Sequence, residues 1–63
     1  MNTKAVAHQV NREEYAPYHT MPAFVHGEMS YGNRRYVNPY PGDSTSAQAW
    51  DRGLEYAMRN SAK

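Results

Sequence analysis

Two five-residue stretches, Ala23-Phe24-Val25-His26-Gly27 and Ala49-Trp50-Asp51-Arg52-Gly53, share the pattern Ala-aromatic-x-x-Gly. Each falls near the start of a segment that reads as helix, where residues three apart lie on one face. Each segment therefore presents a ring and a glycine side by side. Glycine in a helix interior costs roughly 0.5–1 kcal/mol relative to alanine, whereas a buried ring removes about 150–250 Å² from water. The pattern predicts two helices that cross closely, each glycine making room for the partner's ring or backbone. Gly27 and Gly53 are then close-approach positions, and Phe24 and Trp50 are core.

The boundaries of both helices are marked locally. Thr20 is placed to cap the first, Pro22 sits near the first-turn position that proline favours, and Gly32-Asn33 supplies a stop. This predicts a helix over 22–31. Pro39 then pushes Asn38 towards extended geometry, and Pro41-Gly42 turns the chain. After the turn, Thr45 and Gln48 match a capping box, with Asp43 and Ser44 as rival caps. A second helix over 46–59 follows, with Ala47, Trp50, Leu54 and Ala57 on one face. Glu55 and Arg59 form an attractive pair one turn apart, and the final residues are expected to fray. The predicted fold is all-α: a small two-helix antiparallel hairpin over 21–60 with a Pro-rich connecting turn built on Asn38–Gly42. Phe24 and Trp50 share its core, with Tyr31, Leu54 and Ala57 around them.

Residues 1–20 read as a loosely ordered extension. A short helix over 3–15, capped by Thr3, has only the narrow stripe Ala5, Val6, Val10, and Glu13-Glu14 at its end oppose the helix dipole. Fraying and docking remain open for it, and residues 15–22 read as a loop.

Composition narrows what such a hairpin can be. A chain of 63 residues buries only about 60% of its unfolded surface. Four valines, one leucine and no isoleucine leave the core to one Phe, one Trp, six Tyr and four Met. The formal net charge of +1 is far below what usually accompanies disorder. A small folded centre with loose ends is the expectation, and a homodimer through Tyr36, Tyr40 and Tyr56 would add burial. Without cysteine no disulfide or thiolate zinc site exists, and a reducing compartment fits. No apolar run approaches the ~20 residues of a membrane span, and the N-terminus lacks a signal-peptide core. The expected location is the cytoplasm.

The sequence of features from residue 22 to 59 is Ala-aromatic-x-x-Gly, a short basic stretch, Asn38-Pro39-Tyr40, a polar turn, then Trp50-x-x-Gly53 and Ala57-Met58. It resembles the ribosome modulation factor superfamily, which includes a ciprofloxacin-resistance protein branch and short phage-encoded proteins. Asn38 stands where that family has cysteine, and Leu54 where it has a second helix tryptophan. Residues 1–20 carry Lys4 and Arg12 against Glu13 and Glu14, unlike the basic N-terminus of ribosome modulation factor. The resemblance implies a two-helix fold and a non-catalytic protein that associates with the ribosome or ribosomal RNA and modulates translation.

Arg34, Arg35 and Tyr36, followed by Tyr40, are the candidate contacts to nucleic acid or another partner, with Arg52 on the second helix. Arginines pair with phosphates, and tyrosine rings stack on unpaired bases. The same residues would also suit a solvated linker whose tyrosines cover the core. A chain this near neutral lacks a broad electrostatic footprint, so shape must carry more of any RNA affinity. The alternative is a phage-encoded or accessory protein that binds and inhibits a host protein, since Tyr, Trp and Arg are favoured at protein interfaces. No metal site is expected, because no two of His8, His19 and His26 share a helical turn. No nucleophile elbow or phosphate loop is present, so neither catalysis nor a cofactor is expected. Phe24, Gly27, Pro39, Trp50 and Gly53 are assigned to structure.

Overall fold

The computed structural model describes residues 10–61, which form helices and connecting loops with no strand among them. Helix α1 spans Pro22–Gly32 and helix α2 spans Thr45–Ser61. Two single 3₁₀ turns, Arg12–Tyr15 and Tyr18–Thr20, precede them. The expected helix over 3–15 is replaced in its described part by the first of these turns. It is capped by Asn11, whose side chain accepts from the Glu13 N–H at 2.9 Å. Residues 3–9 lie outside the described part.

The helices cross antiparallel, as the repeated pattern requires. A methyl group on Gly27 would collide with the Trp50 carbonyl and come within 2.8 Å of the Leu54 nitrogen. On Gly53 it would collide with the Phe24 carbonyl and come within 2.8 Å of the carbonyl carbon. The contact is reciprocal: the residue bearing each ring sets its backbone oxygen against the other helix's glycine.

The core consists of Tyr15, Ala23, Phe24, Ala49 and Trp50, with Val10, Tyr18, Met21, Tyr40, Leu54 and Tyr56 packed against it. Phe24 and Trp50 are fully buried, as expected. Tyr15 is also buried and meets Phe24 and Tyr56, with ring centroids 5.8 and 6.0 Å away. Reading residues 15–22 as a plain loop therefore misses a core residue, and residue 20 is not a boundary between extension and folded unit. The reason is supply: a hairpin with so few aliphatics leaves one side of Phe24 uncovered, and the preceding segment fills it. Arg12 holds that segment down. Its guanidinium lies 5.0 Å from the Phe24 ring centroid and pairs with Glu28 at 2.6 Å. At the far end of α2, Asn60 accepts from the Val10 N–H and Arg59 donates to the Tyr15 hydroxyl at 2.9 Å. That bond raises the Arg59 pKa further above its already high ordinary value. The Glu55–Arg59 pair stands at 4.0 Å, the looser of these two Arg59 interactions. Tyr31 is instead half-exposed and pairs with Tyr36, so it belongs to the surface rather than to the core.

Two caps differ from expectation. Met21 is extended and precedes Pro22, so Thr20 is too far back to cap; its hydroxyl donates to the Pro17 carbonyl instead. Helix α2 begins one residue early because Ser44 wins over Thr45: its Oγ accepts from the Ala47 N–H at 3.0 Å and donates to the Pro41 carbonyl. Gln48 is then released from any capping box and accepts from the Tyr18 hydroxyl at 2.6 Å. Ser44→Ala is expected to destabilise by about 1 kcal/mol, and Thr45→Ala, at an exposed position, by a few tenths. Thermal melts of the two variants measure the order.

Candidate binding surface on the connecting loop

The loop between the helices starts with a tight helix stop. Asn33 ends α1, Arg34 adopts the left-handed conformation at φ 58°, and the Arg34 and Arg35 N–H groups return to the Tyr31 and Ser30 carbonyls at 3.1 and 2.8 Å. Paired bonds of this kind define a Schellman stop, whose left-handed residue is usually glycine. Here it is arginine. An L-side chain there is strained, and such strain concentrates at functional positions. Arg34→Gly is expected to stabilise the fold by about 1 kcal/mol, the cost of an L-residue in the left-handed region, while removing an exposed guanidinium. A lower melting temperature for this variant would contradict the strain.

The loop's second half is pinned to α2 by Asn38. Its amide donates to the Ala47 carbonyl at 2.8 Å and to the Asp51 carboxylate at 3.0 Å, and its Oδ1 accepts from the Tyr40 N–H at 3.0 Å. The last bond closes an Asx turn around Pro39. Tyr40 is consequently half-buried, with its hydroxyl 2.6 Å from the His26 Nδ1 and its ring plane within 7° of the imidazole. Between the two anchors, Arg34, Arg35, Tyr36 and Val37 are all exposed, Val37 to 85%.

Of the expected contact residues, the structure brings Arg34, Arg35 and Tyr36 together on one projecting segment. It sets Tyr40 beside them in a bonded, inward role. Arg52 is elsewhere: it lies over the Tyr18 ring at 5.6 Å, on the flank of α2 that also carries Gln48. Tyr56 packs on the core and Tyr40 is half-covered, so of the three rings considered for self-association only Tyr36 is exposed. His26, Met29 and Val37 are not marked by the sequence, and Asn38 is read there only as part of the turn. Only Asn38 had a local signal, since Asn-Pro favours turn initiation.

Behind the projecting segment lies an open groove of about 540 Å³, walled by His26, Met29 and Ser30 of α1, by Asn33 just beyond it, by Arg35 and Pro39 of the loop, and by Trp50. The Trp50 indole N–H has no acceptor among the described residues. No group of three or more His, Asp or Glu residues that could hold a metal is found among the described residues. No described helix is long and apolar enough to cross a membrane. The chain matches no protein-family model, no curated protein and no solved structure.

Proposed function

We propose that this is a small non-catalytic binding protein whose working surface is residues 34–37, with ribosomal RNA or the ribosome as partner. The observation that carries the reading is the pairing of exposure with rigidity. Two arginines and a tyrosine project from a short segment held at both ends, by the left-handed stop at Arg34 and by Asn38 on α2. Preorganised side chains lose less entropy on binding, which suits a protein whose net charge alone would give little affinity. The motif likeness across residues 22–59 to the ribosome modulation factor superfamily supports the same partner.

The test is sedimentation of host ribosomes with the tagged protein at increasing salt, with and without nuclease. Co-sedimentation should weaken as salt rises. Arg34→Ala with Arg35→Ala should flatten the logarithmic salt dependence by about 0.7 for each phosphate no longer neutralised, the value for single strands. Val37 and Met29, exposed to 85% and 59%, favour a second reading, an apolar contact to a host protein. Recovery of one nuclease-resistant host protein, with nothing in the ribosomal fractions, would replace the RNA reading with that one.

A further inference from the structure

The groove behind residues 34–37 has the groups to hold one nucleotide, and the geometry points to it as a site for a nucleoside monophosphate, either free or as one unstacked residue of an RNA strand. The inference rests on the RNA reading only for the second of these sources. Its volume of about 540 Å³ lies within the range of small-ligand sites. The walls divide by chemistry. Among the described residues, Arg35 is the one formally charged side chain lining it and supplies the cation for a phosphate. Met29 and Pro39 supply apolar surface for a base, with the polarisable Met29 sulfur suited to an aromatic face. Ser30 and Asn33 supply hydrogen-bonding groups for a base edge or sugar hydroxyl, and no carboxylate of the described residues lines the groove to repel an anion.

Two further observations mark the groove as more than a gap between helix and loop. Trp50 forms part of its wall, and the indole N–H, buried from solvent, lacks an acceptor among the described residues, although buried polar groups are nearly always bonded. In addition, the strained residue Arg34 is what swings Arg35 round to the groove: the left-handed turn sends the Arg35 N–H back to Ser30, itself a groove residue. Arg34 does not line the groove. The two adjacent arginines therefore divide the work, Arg35 on the nucleotide in the groove and Arg34 on the backbone of a longer strand.

The single tryptophan makes the test direct. The full chain is titrated with nucleoside monophosphates, inorganic phosphate and a short single-stranded oligoribonucleotide, followed by Trp50 fluorescence and by calorimetry. Nucleoside monophosphates should bind and inorganic phosphate at equal concentration should not. Met29→Glu places a carboxylate in the groove at an exposed position, so circular dichroism should be unchanged and nucleotide affinity should fall about tenfold or more. Arg35→Ala should weaken both nucleotide and oligonucleotide, whereas Arg34→Ala should weaken the oligonucleotide alone. Nucleotide binding without any RNA binding would uphold the site and remove the RNA reading. RNA binding that is indifferent to Met29→Glu, with no nucleotide binding, would overturn the site and leave the RNA reading standing. Equal binding of inorganic phosphate would overturn it in favour of a simple anion site.

Discussion

Trp50→Ala is expected to leave the chain unfolded at room temperature. The side chain is 1% exposed and shares the core with Phe24, Tyr15 and two alanines. Truncating a buried tryptophan to alanine costs about 3–5 kcal/mol. A single core in a chain below about 70–80 residues rarely supplies more than about 3–5 kcal/mol, so the loss takes essentially all of it. Among the described residues, the aliphatic side chains nearest the core, Leu54, Met21 and Val10, are already packed against it, so none is free to fill the cavity. Trp50→Phe separates loss of the ring from loss of the indole. It keeps most of the apolar volume and deletes an N–H that has no acceptor among the described residues, so it should retain a cooperative melt. Full helical circular dichroism and a cooperative transition in Trp50→Ala would contradict this core.

Glycine to alanine should act with opposite signs at positions that look alike in sequence. At Gly27 and Gly53 the added methyl meets backbone atoms of the opposite helix, which cannot rotate away as a side chain could. The helices must part, and the rings between them pack less closely. Each substitution should destabilise by about 1–3 kcal/mol or more. The two effects should be less than additive, since the first separation relieves the second clash. At Gly32, the last residue of α1, nothing lies within 4 Å of the added methyl. Alanine there should stabilise by roughly 0.4–1 kcal/mol, by restricting the unfolded chain. Denaturant melts of the three variants measure the signs, and a rise in stability for Gly27→Ala or Gly53→Ala would rule out the reciprocal crossing.

The hairpin was legible because its determinants are local. Ala-aromatic-x-x-Gly states both what a helix face buries and where it leaves room, and two copies joined by a Pro-rich turn have few ways to satisfy each other. Pro22 and Pro39 bound the elements through backbone geometry alone, whereas the stop of α1, expected at Gly32-Asn33, falls on left-handed Arg34. The caps were less legible, because Thr20, Ser44 and Thr45 all have a suitable hydroxyl. The choice among them depended on how Met21 and Pro41 direct the entering chain.

The candidate surface divides the same way. That Arg34, Arg35 and Tyr36 precede a rigid turn can be read in order along the chain, and so can the scarcity of charge around them. What the sequence by itself determined was two helices, their antiparallel crossing at glycine, and a basic segment between them. Only the tertiary structure decided that Tyr15 and Arg12 complete the core, that Asn38 ties the loop to α2, and that His26 takes the Tyr40 hydroxyl. It likewise set Arg52 on Tyr18, away from the other two arginines. Each of these is a contact between side chains distant along the chain, with partners chosen by whichever surface the crossing leaves uncovered. Periodicity and turn chemistry describe neighbours in sequence and carry no information about that surface until the helices have packed.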